Sequence, residues 1–302
     1  MAFTVLPLFD SPEQGAKAML ALTPDRSTAR VLGRTAVEIA ELGFYEVDGK
    51  AISIHGPQQK AIRSKVSLSP DAELPPVPNT VNVPETIVQV RNVSSMDAAK
   101  ELIEQGRHPL ILNFANPITP GGGFLNGALA QEETLCRSSG VYATLVDDPM
   151  YDYHRGRFDS RMASDWAILS PDVPFFRTDD GTFEATPWLA SVLTCAAPQA
   201  DYAEPGQVDA LMRRRIPRVL SIMKAYGYTD IILGAWGCGA FGCDPTSIAK
   251  IFVDALRAQF SDSFRTVVFA IVDDSMNRRL IKPFADAVRE GLSVNFYELG
   301  TG

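Results

Sequence analysis

The sequence is poor in the residues that build metal centres and disulfide frameworks. Its 302 residues include only three histidines and four cysteines, Cys136, Cys195, Cys238 and Cys243. A structural zinc site usually needs four ligands at short, regular spacings, and disulfide frameworks are typical of short chains with many cysteines. No histidine or second cysteine pair accompanies Cys238 and Cys243. We therefore expect neither a metal site nor a disulfide framework.

Long apolar runs and an excess of positive charge are also missing. No apolar run reaches the roughly 18 to 20 residues that a membrane helix needs. The first residues, MAFTVLPLFDSPEQG, carry no basic segment ahead of an apolar core, which argues against a signal peptide. The net charge of −8 disfavours general nucleic-acid binding, because phosphate contacts need basic patches. We expect a cytoplasmic protein without nucleic-acid or membrane partners, although backbone N–H groups could still bind one or two phosphates.

The composition and the order of apolar segments indicate an α/β protein. The chain is 46% hydrophobic and 21% charged, which is ordinary for a globular protein. From residue 86 onward, apolar strands alternate with amphipathic helices, a pattern that predicts helices on both faces of a parallel or mixed sheet. We predict an α/β/α sandwich with strands at 86–90, 109–115, 167–173, 191–198, 228–236, 265–274 and 292–299 and helices at 94–106, 127–145, 208–227, 245–260 and 277–291.

The first part of the chain is predicted to form an accessory region. We place its boundary so that 1–85 packs on a core formed by 86–302. Its main element is a helix at 24–42. Thr23 is the predicted N-cap of this helix, and Pro24 fits the first helical position, where its missing N–H costs nothing.

Turn-forming residues mark the predicted connections. A hairpin at 44–54 has an Asp-Gly turn at 48–49. The segment 67–85 contains five prolines, which indicates an extended connector. We also predict a loop at 175–188 and a kink or break in the helix at Pro217.

Two glycine-rich segments follow predicted strands. The first, GGG at 121–123, comes after the strand 109–115, and the second, GCGAFG at 237–242, comes after the strand 228–236. Open α/β sheets bind ligands at the carboxyl ends of their strands. Asp244 is a suitable N-cap for the next helix, whose free N–H groups provide a seat for phosphate. We therefore place the ligand site between the two loops.

The second loop is compatible with more than one kind of structure. It matches the G-x-G-x-x-G pattern of dinucleotide-binding folds, which place an acidic residue about 20 residues further on. Here Asp273 and Asp274 follow Gly242 by about 30 residues. A tight strand-to-helix turn without a ligand is another alternative, but two glycine loops at neighbouring strand ends favour a phosphate seat. The first loop lacks the Lys-Ser/Thr of a P-loop, which disfavours nucleoside triphosphate hydrolysis.

Two adjacent carboxylates, Glu132 and Glu133, follow the first glycine loop. Runs of glycine cost conformational entropy and usually indicate a positive φ or a very close backbone approach. If 127–145 is helical, neighbouring side chains diverge by about 100°, so the two carboxylates have different roles. One could face a scissile bond while the other holds a substrate hydroxyl. Alternatively, both lie on a solvated face near a helix start, where negative charge is favourable.

Several segments resemble one enzyme family. The pattern of GGG, seven residues and QEE at 121–133 resembles the signature of the poly(ADP-ribose) glycohydrolases, whose catalytic domain is an elaborated macrodomain. The segments LILNFANPITPGGGFLNGALAQEETLCRSSGVY, AILSPDVPFFR and LGAWGCGAFGCDP are similar to its microbial-type branch. The resemblance covers 86–302 and the N-terminal helix. It implies a macrodomain-like three-layer sandwich with a mixed sheet and an N-terminal helical accessory region, and hydrolysis of poly(ADP-ribose) without a metal or cofactor.

The resemblance implies roles for individual residues of this sequence. Glu133, the second glutamate of QEE, matches the catalytic acid, and Glu132 matches the residue that holds hydroxyls of the distal ribose. Gln131 supports the loop, and Asn116 contacts the same ribose. The residues implied to approach the ribose and the diphosphate are Gly121, Gly122, Gly123, Gly237, Cys238, Gly239, Ala240, Phe241 and Gly242.

The implied reaction is cleavage of a ribose-to-ribose O-glycosidic bond. Glu133 protonates the leaving hydroxyl while an oxocarbenium-like ribose forms, and then activates water as a general base. Such a step needs a carboxyl with a raised pKa, which burial and the charge of Glu132 would supply. Cleavage is expected mainly at chain ends, with 1–85 closing the pocket around the terminal ribose. The alternative is a reader macrodomain that binds ADP-ribose without cleaving it, but two intact glutamates favour the enzyme.

Parts of the sequence depart from the family pattern. Microbial relatives commonly have a small, serine-like residue where Asn116 stands, and the tyrosine-bearing insertion that clasps adenine in vertebrate enzymes is missing, so we expect adenine near 92–94. The basic run Arg213, Arg214 and Arg215 is interpreted as a solvated helix face, or alternatively as a polymer-binding groove. The implied partners are poly(ADP-ribose), ADP-ribose and ADP-ribosylated proteins, for a monomer that reverses ADP-ribosylation in the DNA damage response.

Overall fold

The structure is a computed structural model that describes residues 2–78, 83 and 85–292. Its strands are β1 (Ala2–Val5), β2 (Phe44–Val47), β3 (Lys50–Ser53), β4 (Val66–Leu68), β5 (Glu85–Arg91), β6 (Pro109–Phe114), β7 (Ala167–Arg177), β8 (Phe183–Cys195), β9 (Asp230–Leu233) and β10 (Thr266–Ala270). Its α-helices are α1 (Pro12–Leu22), α2 (Arg26–Leu42), α3 (His55–Ser64), α4 (Ser95–Glu104), α5 (Gln131–Ser138), α6 (Tyr142–Leu145), α7 (Pro149–Arg155), α8 (Gln207–Ala225), α9 (Pro245–Gln259) and α10 (Ile281–Leu292).

A mixed sheet of eight strands forms the centre of the described chain. Its strand order is β1-β5-β10-β9-β6-β8-β7-β4. All pairs from β1 to β8 are parallel, whereas β8–β7 and β7–β4 are antiparallel. The carboxyl ends of the parallel strands therefore meet at one edge of the sheet, where open α/β sheets bind ligands.

Helices cover both faces of the sheet, so its central strands bury apolar side chains on both sides. Alternate residues of β10 point to opposite faces: Val267 and Phe269 pack in one core with α8, α9 and α10, whereas Val268 packs in another with α4 and α5. The predicted α/β/α architecture with a mixed sheet is confirmed. Within the described residues, no helix is long and apolar enough to cross a membrane.

The first 85 residues contribute to the sheet as well as to the helices around it. β1 pairs with β5 at one edge, and β4 pairs with β7 at the other. α2 packs against the first glycine loop, where a Cβ on Gly33 would lie only 2.7 Å from the carbonyl oxygen of Phe124. This region therefore supports the segment that carries the predicted catalytic residues.

Several predicted boundaries differ from the structure. The N-cap of α2 is Asp25 rather than Thr23, because the Asp25 carboxylate accepts from the N–H groups of Ser27 and Thr28. The helix predicted at 127–145 begins only at Gln131, since Gly127 adopts a left-handed conformation with φ of 79° at the end of a 3₁₀ turn.

The segment predicted as a loop at 175–188 belongs largely to two strands. β7 and β8 form a long antiparallel hairpin in which Phe175 pairs with Trp188 and Arg177 pairs with Phe183. Pro217 lies inside α8, which continues through it. The hairpin at 44–54 is confirmed by the pairing of β2 with β3. Apart from Leu292, the strand predicted at 292–299 lies outside the described residues.

Candidate active site

The two glycine loops lie at the ends of neighbouring strands. The loop that contains 121–123 follows β6, and the loop that contains 237–242 follows β9, which pairs with β6. β8 ends on the other side of β6 and leads into Ala197. The sheet topology thus brings together two segments that are separated by more than 100 residues in the sequence, as predicted.

Gln131, the first residue of α5, joins this helix to the end of β6. Its side-chain oxygen accepts from the N–H of Phe114 at 2.9 Å, and its side-chain nitrogen donates to the carbonyl of Leu112 at 2.9 Å and to Ser95 Oγ at 3.1 Å. No side chain caps the start of α5 at Ala130. Gln131 therefore fixes the position of the helix start, which agrees with the supporting role that the family resemblance implies.

Glu132 is buried, and its carboxyl accepts hydrogen bonds from two asparagines. Its Oε2 accepts from the N–H of Asn116 at 2.6 Å, and its Oε1 lies 3.5 Å from the side-chain nitrogen of Asn113. Burial raises the pKa of Glu132 well above its ordinary value, and the nearby charge of Glu133 adds to this, while the hydrogen bonds from Asn116 and Gly121 oppose it. The first turn of α5 therefore contains a carboxyl with a strong affinity for a proton.

Glu133 is also buried, with 8% of its surface exposed. Its Oε1 accepts from the N–H of Gly123 at 2.9 Å. Its Oε2 has no hydrogen-bond partner among the described residues. Buried polar atoms are normally paired, so this oxygen is available for a group that the chain itself does not supply.

The first glycine loop lies directly against this pair of carboxylates. Gly122 has φ of 59°, and a Cβ there would overlap Glu133 Oε1 and lie 3.0 Å from Glu132 Oε2. Gly121 has φ of 67°, and a Cβ there would lie 2.9 Å from the Phe124 ring and 3.0 Å from Cys136 Sγ. The loop thus needs glycine both for its backbone conformation and for its contact with the acids.

Asn116 lies in a turn that positions Glu132. Its backbone N–H donates to Glu132, while its side-chain oxygen accepts from the N–H groups of Ile118 and Thr119 at 2.9 and 3.0 Å. The buried ring of His154 holds the same turn by donating from Nδ1 to the carbonyl of Pro117 at 2.7 Å. Sequence reasoning missed His154, because the residue lies in a helix that the sequence pattern did not predict.

The second glycine loop leads into the start of α9. Asp244 caps this helix by accepting from the N–H of Ser247 at 2.8 Å, and Pro245 is the first helical residue, as predicted. Gly237 and Gly242 have φ of 80° and 70°. Gly239 does not adopt a left-handed conformation, and a Cβ there would have no heavy atom within 4 Å. In the second loop, a positive φ is therefore found at Gly237 and Gly242 but not at Gly239.

The cysteines near the second loop are buried thiols. Burial raises the pKa of Cys238, and burial raises the pKa of Cys243 to about 11. Cys243 Sγ donates to the carbonyl of Pro198 at 3.4 Å. These thiols are neutral near pH 7, so they pack the base of the loop and are not nucleophiles in the ground state.

A cleft of about 300 Å³ runs along the carboxyl edge of the sheet. Its lining includes Gln131, Asp179 and the residues Gly237, Gly239, Ala240 and Phe241 of the second loop. Glu132, Glu133 and the glycines of the first loop lie outside this lining. The two carboxylates are therefore buried beside the cleft and do not form part of its wall.

Some charged residues are buried, although the arginine run was interpreted as a solvated helix face and Asp179 falls in a predicted loop. Arg215 is fully buried rather than solvated, and it donates to Asp165 at 3.1 Å and to the carbonyl of Ala196 at 2.8 Å. Arg214 also pairs with Asp165, so two of the three arginines hold α8 in place. Asp179, in the segment predicted as a loop, is buried, and this burial raises its pKa to about 7.

The chain is similar to known proteins of one family. The family described as "Microbial-type PARG, catalytic domain" matches residues 33–178. No curated protein matches the sequence. The poly(ADP-ribose) glycohydrolase of Thermomonospora curvata has 33% sequence identity and a TM-score of 0.80, and the match covers 87% of this chain and 100% of that chain.

Structures with bound ligands are among the similar proteins. The Thermomonospora curvata enzyme bound to the inhibitor ADP-HPD is 33% identical, with a TM-score of 0.77 over 86% of this chain and 99% of that chain. The poly(ADP-ribose) glycohydrolase of Deinococcus radiodurans in complex with ADP-ribose is 29% identical, with a TM-score of 0.70 over 79% of this chain and 99% of that chain.

The fold and the site together define a macrodomain-like α/β protein with a pair of buried carboxylates. This class is consistent with the mixed sheet, the glycine loops at its carboxyl edge and the acids at the start of α5. The chain belongs to the family of microbial-type poly(ADP-ribose) glycohydrolases.

Proposed function

We propose that this chain hydrolyses the ribose-to-ribose O-glycosidic bonds of poly(ADP-ribose), with Glu133 as general acid and base, and releases ADP-ribose. The observation that carries the proposal is the environment of Glu133. One oxygen of its buried carboxyl is fixed by the Gly123 N–H, and the other has no partner among the described residues. A fixed carboxyl with one free oxygen is suited to proton transfer at a bound substrate.

In the proposed first step, Glu133 gives a proton to the glycosidic oxygen that joins two ribose rings. The bond between the anomeric carbon and this oxygen breaks, and the anomeric carbon develops the character of an oxocarbenium ion. Glu133, now ionised, takes a proton from a water molecule, whose oxygen bonds to the anomeric carbon. The products are ADP-ribose and a polymer with a new ribose hydroxyl, and Glu133 regains its proton.

Glu132 has a different role in this proposal. It holds hydroxyl groups of the ribose that reacts, while the Asn116 N–H holds Glu132. Two carboxyls in one buried site favour a state that shares a proton, because two negative charges at short range repel each other. The raised pKa of Glu132 supports such a shared proton.

The glycine loops are proposed to bind the diphosphate. The second loop precedes the start of α9, where unpaired N–H groups and the helix dipole favour negative charge. Phe241 is half-buried and lines the cleft, where it can pack beside a ribose. Asn116 completes the ribose site from the other loop, although its side-chain oxygen is already bonded to the turn at 118–119.

We further propose that cleavage occurs mainly from chain ends. Met19, Leu22 and Thr23, at the end of α1, line the cleft. Arg26 donates to the carbonyl of Asn126 at 3.1 Å, which ties α2 to the first loop. α1 and α2 would thereby narrow the space beyond the terminal ribose and obstruct a polymer that continues in both directions.

Incubation of the protein with poly(ADP-ribose), with products resolved by chain length over time, tests the activity and its mode. Free ADP-ribose from the first time points is expected. Medium-length oligomers as the main early products would contradict cleavage from chain ends. Tight binding of ADP-ribose without any cleavage would instead support the second candidate function, a reader macrodomain.

The proposal also extends to the setting in which the enzyme acts. A cytoplasmic monomer that shortens the poly(ADP-ribose) chains of ADP-ribosylated proteins during the DNA damage response agrees with the chemistry of the proposed reaction. Sedimentation of the purified protein would test the monomer, and accumulation of poly(ADP-ribose) after DNA damage in cells that lack the protein would test the setting.

A further inference from the structure

His154 is a buried, hydrogen-bonded ring that has no part in the reaction steps proposed above. It lies near the end of α7 and is fully buried. Its Nδ1 donates to the carbonyl of Pro117 at 2.7 Å, and its Nε2 lies 3.1 Å from the backbone nitrogen of Ser164 and 2.7 Å from the hydroxyl oxygen of the same serine. Both ring nitrogens are therefore paired, one with the turn at 116–119 and the other with the segment before β7.

The partners of the ring determine which nitrogen carries the hydrogen. The N–H of Ser164 can only donate, so Nε2 of His154 accepts and the ring hydrogen is on Nδ1. Burial lowers the pKa of His154, and the charges of Arg215 and Arg157 add to this, while the hydrogen bond to Pro117 opposes it. The neutral ring thus offers one donor and one acceptor, and it joins two segments of the chain through them.

The turn that accepts from this ring also holds Glu132. Asn116, which comes directly before Pro117, donates from its N–H to Glu132 Oε2 at 2.6 Å. The next carbonyl of the turn, that of Ile118, accepts from the Arg155 guanidinium at 2.8 Å. α7 therefore contacts two consecutive carbonyls of the turn, so a change in these contacts would move the N–H that faces the carboxyl.

A strained residue lies on the other side of the ring. Ala163, which directly precedes Ser164, has φ of 53° and ψ of −170°, a conformation that residues with a Cβ rarely adopt. It is buried in a small cluster with Ala115 and Ala196, which follow the ends of β6 and β8. Strained residues persist where the surrounding structure determines their conformation, and they are concentrated at functional sites. Here the strained residue leads directly into the N–H and the hydroxyl that face His154.

We propose that His154 is a positioning residue for the reaction, which keeps the Asn116 N–H directed at Glu132. This inference rests on the function proposed above, in which Glu132 holds hydroxyls of the reacting ribose. The contacts run from Ser164 through the ring to Pro117, and from the adjacent Asn116 to the carboxyl. A misplacement of about 1 Å can cost about 100-fold in rate, so a small shift of the turn is enough to slow hydrolysis.

A purely structural role for His154 would give a different result. A residue that only stabilises the fold changes the free energy of unfolding and leaves the rate per folded molecule unchanged. Thr144, which is fully buried in α6, provides the comparison. Its hydroxyl donates to the carbonyl of Val141 at 2.7 Å and pairs with Ser170 Oγ at 2.6 Å. Thr144→Val keeps the shape of the side chain and removes these bonds, so we expect it to lower stability alone.

The test compares initial rates of the variants with saturating poly(ADP-ribose), per folded molecule. His154→Phe keeps a flat ring but cannot bond to Pro117 or Ser164, so hydrolysis should fall by at least about tenfold. His154→Asn places an amide N–H at the position of Nδ1 and can still donate to Pro117, so it should recover most of the rate. Thr144→Val should hydrolyse the polymer at the rate of the unmodified protein. Urea denaturation measures the stability of each variant.

A folded His154→Phe protein with the rate of the unmodified protein would overturn the inference without affecting the proposed hydrolase function. His154→Asn as slow as His154→Phe would also overturn it, because the bond to Pro117 would then have no effect on the rate. If His154→Phe does not fold, His154→Asn is compared with His154→Gln, whose amide reaches the position of Nε2 and keeps only the contact with Ser164. We expect His154→Gln to be slower, and equal rates would overturn the inference. Absence of hydrolysis by the unmodified protein would contradict the proposed function, on which the inference rests.

Discussion

The two glycine loops differ in what requires the glycine. In the first loop, a Cβ on Gly122 would overlap Glu133 Oε1 and crowd Glu132, and the backbone there has φ of 59°. In the second loop, a Cβ on Gly239 would meet no protein atom within 4 Å, and its φ is not in the left-handed range. Gly122 is therefore required because the two glutamate carboxyls approach it closely, whereas the space around Gly239 is open.

In the proposed function, this difference means that the first loop positions the catalytic carboxyls and the second loop binds the ligand. The first loop fixes Glu133 through the Gly123 N–H and lets the carboxylates approach the backbone. The second loop, with the start of α9, is proposed to bind an anion through backbone N–H groups. Substitutions in the two loops should consequently affect different measurements.

The largest effect is expected for Gly122→Ala. The added methyl group displaces the Glu133 carboxyl and also pays for a positive φ, so hydrolysis of poly(ADP-ribose) should fall by at least about 100-fold. Initial rates with saturating polymer measure this loss. Gly106→Ala is the matched control, because Gly106 has φ of 76° but no neighbour within 4 Å of a Cβ. Equal losses in the two variants would mean that backbone strain alone, and not contact with the acids, explains the effect.

A smaller effect, limited to binding, is expected for Gly239→Val. The side chain enters the cleft where the diphosphate is proposed to lie, so affinity for ADP-ribose should fall by roughly tenfold. The free energy of unfolding should stay unchanged, because no protein atom is displaced. Calorimetry and urea denaturation measure the two quantities. Gly56→Val, another site with open space around the Cβ, is the control and should bind normally. Unchanged affinity in Gly239→Val would place the diphosphate elsewhere.

The smallest effect concerns Asp179, whose carboxyl lies outside both loops. Its pKa is raised to about 7 by burial, so its contribution to stability is present below its unfolded pKa of about 4 and is lost as the pH rises through 7. As the pH rises from 4 to 8, the free energy of unfolding of Asp179→Asn should therefore increase by about 1 to 2 kcal/mol relative to that of the unmodified protein. Urea denaturation at several pH values measures this change.

Asp180→Asn provides a control of opposite sign. Hydrogen bonds from Thr178 lower the pKa of Asp180, so its stabilisation is present above the unfolded pKa and is lost in acid. The variant should consequently lose stability, relative to the unmodified protein, as the pH rises. The same trend in both variants would contradict the assignment of burial as the cause of the shift at Asp179.

The fold could be predicted from the sequence wherever the local pattern of apolar and capping residues matches the way the segment packs in the structure. Alternating apolar strands and amphipathic helices gave the layered architecture, and Asp244 with Pro245 gave the start of α9. β1 was missed because its four residues carry no helical or alternating signal of their own. Its pairing with β5, more than 80 residues away, determines the strand.

The same distinction applies to the site. The spacing of glycines and carboxylates located the two loops and placed the carboxylates in a helix, because these features are continuous in the sequence, but the helix begins at Gln131 and not at 127. The conformation of Gly239 and the burial of Asp179 depend on packing between distant segments. Asp179 stands in a polar stretch, Thr178 to Gly181, that is typical of an ordinary turn. Only the long β7–β8 hairpin places it in the cleft.

The most direct test of the account is the rate and the ADP-ribose affinity of Glu133→Gln, measured on one preparation. The amide keeps the size of the side chain and can still accept from Gly123, but it has no ionisable proton. General acid–base groups typically contribute about 10² to 10⁴ in rate. We predict a loss of at least about 100-fold in polymer hydrolysis at nearly constant affinity, whereas Glu132→Gln should weaken both. Hydrolysis by Glu133→Gln at a rate close to that of the unmodified protein would contradict the assignment of Glu133 as the catalytic acid.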